Sequence, residues 1–286
     1  MRLNVEHRTV FDYDEPIYET ATEVRLQPID HHGTSQRCLA FTLVVDPAAA
    51  IAQYVDFYGN QVHHFNVLQR HRRVSIMAIS LVETGLGRVT TGNDEPIMLQ
   101  EFLRESPYIR FASPDEQVEI PAIREFAGQF QREQPPELLA EAICRRINET
   151  FTYEPGVTDA QSTSDVVMAL GRGVCQDFAH VMIATCRALD LPARYVSGYV
   201  YGGPAAEHEN QASHAWCEVF CGAMNGWVGF DPTHNTLFVD DRYIRIGSGR
   251  DYGDVSPIRG TYKGQAEEHM TVTVRLTAAD EGLLAF

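Results

Sequence analysis

A thiol nucleophile needs a base to take its proton and a third group to orient that base, and cysteine, histidine and aspartate can fill these roles. Cys175 follows the glycine-bearing turn Gly171-Arg172-Gly173-Val174. Beyond it, Phe178, Val181, Met182, Thr185, Cys186 and Leu189 recur at helical spacing, one face of a helix that must end before Pro192. Cys175 therefore opens a helix, where unpaired N–H groups and the macrodipole favour a thiolate over a thiol that ordinarily titrates near pH ~8.5. Its own N–H could also face a developing oxyanion.

The partners stand downstream. In the run 214–220, strand alternation puts His214, Trp216, Glu218 and Phe220 on one face. In the run 227–231, Trp227, Gly229 and Asp231 share a face. The two runs read as a hairpin around the Asn225-Gly226 dipeptide. A four-residue loop over 221–224 sets His214 directly opposite Asp231, within reach of an imidazole–carboxylate hydrogen bond. A loop longer by two makes the pair diagonal, and one longer by a single residue separates the faces. Read singly, these residues have plainer roles: Cys175 as a buried thiol, His214 as a core histidine, Asp231 as a turn-former before Pro232. Asp177, in the first helical turn, suits the helix dipole as well as catalysis. Gln176 is an oxyanion candidate by proximity. Tyr199 is a candidate for the cleft lining, and Trp216 is read as core packing or a cleft wall.

Four blocks carry a resemblance. They are Gly173-Val174-Cys175-Gln176-Asp177-Phe178-Ala179, then Leu191-Pro192-Ala193-Arg194-Tyr195-Val196-Ser197-Gly198-Tyr199, then His214-Ala215-Trp216, and Trp227-Val228-Gly229-Phe230-Asp231-Pro232-Thr233. Together they resemble the core of bacterial transglutaminase-like proteins, within the papain-like cysteine hydrolase superfamily. Phe57-Tyr58-Gly59-Asn60 and the run 249–257 are similar to the β domain and C-terminal motif of one bacterial subfamily. The resemblance spans nearly the whole chain. It implies an α+β fold, a papain-like core with a catalytic helix on an antiparallel sheet, preceded by a small all-β sandwich. It also implies a triad carried onto Cys175, His214 and Asp231, acting through a thioester acyl-enzyme on a peptide or amide. Hydrolysis is favoured over transfer to an amine of the protein-glutamine gamma-glutamyltransferase type, because no sign of a second, water-excluding cleft is legible. A non-catalytic peptide-binding scaffold is the contrasting reading, and an arylamine N-acetyltransferase-like transfer is disfavoured by the β domain and the tail.

The elements that must position these residues divide the chain. Short alternating runs at 4–13, 19–27, 38–46, 51–57, 61–69 and 71–82 give a β-sandwich-like domain over 1–95, with a Gly-rich linker at 84–96. Helices are expected at 120–131, 136–150 and 162–170, the last capped by Ser162 or Ser164. The catalytic core is read as 96–240 and a C-terminal extension as 241–286, with 270–276 a strand returning to the N-terminal sheet.

Composition limits the rest. The 286 residues are 44% hydrophobic and 22% charged, as in a globular protein with a real core. The net charge of −16 opposes phosphate backbones and anionic lipid, so nucleic-acid and membrane partners are not expected. No apolar run reaches a bilayer-spanning length of roughly 18 residues. The start of the chain lacks a signal-peptide core and the six cysteines are scattered, so reduced thiols and a cytoplasmic location are expected. His31-His32 and His63-His64 cannot chelate as strand neighbours, and Cys217 with Cys221 has no second pair at zinc spacing. No metal and no cofactor is expected, and homo-oligomerisation is left open.

Overall fold

A computed structural model describes residues 1–30, 35–86, 111, 113, 117–222 and 226–279. The N-terminal part is strand: β1 (Arg2–Val24), β2 (Gln36–Asp46), β3 (Ile51–Val55), β4 (Gln61–Val67) and β5 (His71–Thr84). Leu3, Val5, His7 and Thr9 are buried while Asn4, Glu6 and Arg8 face out, as alternation requires of a sheet with one wet side. The runs 4–13 and 19–27 form one strand rather than two. Between Asp12 and Ile17 the pairing with β5 shifts register, so Glu15-Pro16 marks a bulge and not a turn. The bulge lets β1 serve two groups of neighbours. Its first half pairs with β5 and its second half with β4.

The helical layer contains α1 (Pro121–Ala127), α2 (Pro136–Thr150), α3 (Ser164–Leu170) and α4 (Cys175–Ala188). The first is shorter than its apolar pattern suggests, giving way to turns after Ala127. The N-cap of α3 is Thr163, not Ser162 or Ser164; Ser162 instead closes a local turn by donating to Asp159. Then follow β8 (Ala193–Val200), β9 (His214–Phe220), β10 (Trp227–Asp231), β11 (Thr236–Leu237) and β12 (Tyr243–Gly249), an antiparallel sheet ordered β11-β10-β9-β8-β12. Alternation along β9 sends Ala215, Cys217 and Val219 into the core shared with α4, where Phe178, Val181 and Met182 meet them. Trp216, on the opposite face, packs with Val196 and Tyr243.

The segment after 240 divides. Its first strand, β12, pairs with β8 in the core sheet. After the short α5 (Tyr252–Val255), β13 (Ile258–Lys263) and β14 (Glu268–Ala278) both pair with β1. The expected returning strand at 270–276 thus lies within β14. Two buried amides fasten the β region to the core. Gln36 accepts from the Arg245 N–H at 2.9 Å and donates to the Arg245 carbonyl at 2.8 Å. Asn60 does the same with Ser248, at 2.8 and 3.0 Å. The stretch read as a linker falls mostly within 87–100, outside the described residues.

Candidate active site

Two short strands, β6 (Thr152–Tyr153) and β7 (Arg172–Gly173), run parallel just ahead of Cys175. Backbone bonds from Thr152 to Gly171 and from Glu154 to Gly173 hold the turn on both sides. Asp177 fixes the start of α4. Its buried Oδ2 accepts the Val174 N–H at 2.7 Å and the Thr158 hydroxyl at 2.6 Å. A Cβ on Gly173 would lie 2.5 Å from that same oxygen, so this position must be glycine. Asp177 therefore orders the helix N-terminus rather than facing a substrate.

Cys175 is partly buried at the edge of the helical core. His214, at the first residue of β9, lies near enough for the thiol to act on the protonation of its ring. The other side of that ring is fixed, with Nε2 2.7 Å from Asp231 Oδ2. A carboxylate only accepts, so Nε2 carries a hydrogen there and Nδ1 is left for the sulfur. Burial, the largest influence, would lower the His214 pKa, but the combined pull of Asp231 and Cys175 outweighs it and raises the pKa to about 10. Asp231 has no exposed surface. Burial alone would raise its pKa; hydrogen bonds from His214 and His234 override that and hold the carboxyl well below the usual range.

The hairpin register differs from the four-residue expectation. Phe220 pairs with Trp227, leaving 221–226 as the connection, two residues longer. Asn225 lies outside the described residues; Cys221 and Gly226 close the visible part through Cys221 N to Gly226 O at 2.8 Å. The shift of two keeps the faces aligned and turns His214 and Asp231 from direct into diagonal neighbours, still within contact.

Of the remaining candidates, Trp216 is fully buried and stacks near His214, centroids 6.3 Å apart. It is a floor under the imidazole. Gln176 is spread on the surface, donating its amide to the Ala160 carbonyl at 3.1 Å. Tyr199 does not line a cleft. It is completely buried in the β-region core, its hydroxyl 2.8 Å from His7 Nδ1, because β8 outruns α4 and its end packs against β1.

Two residues escaped the sequence reading. His234 Nδ1 lies 2.7 Å from Asp231 Oδ2, and the Tyr243 hydroxyl donates to the same oxygen at 2.8 Å. His234 had a legible signal, three residues past Asp231 in a turn whose Oδ1 accepts the Thr233 N–H at 2.9 Å. Tyr243 arrives from β12, and nothing local announces it.

A thiol at a helix start, packed on an antiparallel sheet that carries a hydrogen-bonded histidine–aspartate pair, fits the papain-like fold class. The relatives are consistent with that class. Residues 124–232 match the model of the transglutaminase-like superfamily, and residues 3–83 match that of the bacterial transglutaminase-like N-terminal region. An uncharacterized protein of Mycobacterium tuberculosis is 34% identical over 281 residues, covering 91% of this chain and 87% of the relative. A protein-glutamine gamma-glutamyltransferase of Pseudomonas aeruginosa is 32% identical over 124 residues, 40% of this chain and 18% of that one. The crystal structure of a "putative cysteine protease" from Cytophaga hutchinsonii superposes with a TM-score of 0.73 at 22% identity, covering 98% of this chain and 92% of that one. The chain belongs to the transglutaminase-like superfamily, whose members typically work through a cysteine.

Proposed function

We propose that the protein is a cysteine peptidase or amidase that cleaves a peptide or amide bond through Cys175, His214 and Asp231. The observation that carries this reading is the buried His214–Asp231 hydrogen bond at 2.7 Å, on a ring close enough to Cys175 for the thiol to act on its charge. The thiol proton passes to His214 Nδ1 and the sulfur attacks the carbonyl carbon. The tetrahedral oxyanion meets the Cys175 N–H, which as the first amide of α4 has no partner within the helix. As the C–N bond breaks, the leaving amine takes the proton from His214, and a thioester remains. Water, deprotonated by the same nitrogen, then hydrolyses the thioester and returns the thiol. Asp231 holds the ring so that Nδ1 faces sulfur throughout.

All six cysteines are free, as in a reducing cytoplasm, and this supports placing the enzyme there. The decisive test is turnover of a broad peptide and amide library by wild type and Cys175→Ala. Hydrolysis should fall by about 10³-fold or more in the variant. Adding a primary amine should leave product release largely unchanged; if the amine is instead incorporated, the acyl acceptor is an amine and the enzyme is a transferase. Full retention of hydrolysis in the variant would end the proposal.

A further inference from the structure

We propose that His214 Nε2, Asp231 Oδ2 and His234 Nδ1 form an inhibitory site for a single borderline divalent cation, of which Zn²⁺ is the natural example. The three donor atoms lie within 4.8 Å of one another. Both imidazole nitrogens already converge on one carboxylate oxygen, each at 2.7 Å. Tetrahedral zinc bonds nitrogen and oxygen at about 2.0–2.2 Å, so its ligand atoms stand roughly 3.3 Å apart. Each nitrogen must draw back from the oxygen by about half an ångström, and the nitrogens, up to 4.8 Å apart, must approach each other by about 1.5 Å, for which the flexible element is at hand. The His234 side chain is 55% exposed, against 10% for His214 and none for Asp231. The ion would enter from the His234 side, and a water from that side would complete the tetrahedron.

Two imidazoles and one carboxylate suit zinc and not Mg²⁺ or Ca²⁺, which prefer oxygen donors. Groups that orient a ligating carboxylate are also in place. Tyr243 donates to Oδ2 at 2.8 Å and has Thr236 Oγ1 at 3.1 Å as a second partner; Thr233 N–H holds Oδ1. The ion replaces the two ring hydrogens that now point at Asp231. Each ring keeps one proton by moving it to the nitrogen away from the ion, which in His214 is Nδ1, the atom that faces the sulfur. A coordinated neutral imidazole is a far weaker acid than imidazolium, so His214 could no longer protonate a leaving amine. The inhibition rests on the triad reading above; the metal binding does not.

The test uses the full, chelator-treated chain and Zn²⁺ alone, followed by calorimetry, with Co²⁺ as a visible-absorption probe. The expected result is one Zn²⁺ per chain, no heat with Mg²⁺, and affinity weakened about tenfold or more in His234→Asn. Cys175→Ser should bind within about threefold of wild type, and the Co²⁺ complex should show tetrahedral d–d bands without a thiolate charge-transfer band. A thiolate band, equal binding by His234→Asn, or absence of stoichiometric binding would overturn the site. If wild type turns over substrate, the Zn²⁺ concentration that halves its rate should rise about tenfold in His234→Asn, each measured against its own zinc-free rate. Zinc binding without any turnover would count against the hydrolase reading alone, and turnover without zinc binding against the metal site alone.

Discussion

Asp231 divides two tasks between its oxygens. Oδ1 shapes the turn into Thr233, while Oδ2 gathers His214, His234 and Tyr243. Asp231→Asn keeps an acceptor for the turn but sets an amide among three donors. We expect amide hydrolysis to fall about 10³-fold or more, with a stability loss of about 1–2 kcal/mol by thermal melting. Alkylation gives a readout independent of substrate. Iodoacetamide with peptide mapping should label Cys175 first, and the Asp231→Asn change should slow that labelling. Cys38, the other cysteine that is not fully buried, is the natural comparison. Burial and the charge of Asp30 push its thiol up to about 11, so it should react slowly. Labelling of Cys38 ahead of Cys175 would contradict an activated thiol at 175.

At the scale of elements, β8 and β9 hold His214 through two close fits. Gly198 stands opposite His214, and a Cβ there would run into the Ile244 carbonyl and lie 2.6 Å from the Trp216 ring. One ladder end further on, buried Glu218 is gripped by Arg194 at 2.8 Å and Arg245 at 2.7 Å, tying three strands together. Burial would raise the pKa of Glu218, yet the two guanidiniums hold it near about 2. Glu218→Gln leaves both arginines without their counter-charge and should cost roughly 3 kcal/mol in denaturant unfolding. An unchanged midpoint would mean that the sheet does not depend on this charge cluster. The strand limits at 214–220 and 227–231 were readable because both runs are rich in aromatic and other apolar residues and the Asn225-Gly226 turn signal separates them. The register was not, because loop length depends on how residues 221–226 close, and two extra residues leave the periodicity untouched.

For the whole molecule, the seam between the β region and the core carries a pH lever. His7 is 2% exposed and bonded to the hydroxyls of Tyr199 and Thr9, at 2.8 and 3.0 Å. Burial lowers its pKa from 6.5 to about 4. The unfolded chain therefore binds a proton before the folded one does. Stability is complete above pH ~6.5 and is lost as pH falls toward ~4, by roughly 3 kcal/mol from this residue. Thermal melts from pH 7 to 4 should show the decline, and His7→Gln should flatten it. An equal decline in the variant would assign it to other groups, including His63, whose pKa burial also lowers. The sequence pattern gave no hint of this seam. His7 alternates with its neighbours like any inward strand residue, and its partner is 192 positions away.

What the residues fixed unaided was local and periodic: a cysteine opening an amphipathic helix, two strands with histidine and aspartate on matching faces, and a β-rich first third. These follow from spacing, because one face of a helix or strand must be apolar to be buried. The tertiary structure decided the diagonal register, the burial of Tyr199 against β1, and the convergence of His234 and Tyr243 on one oxygen. Such contacts join residues distant in the chain or across a turn, where hydrogen-bond geometry and packing select the partner and no period in the sequence encodes it.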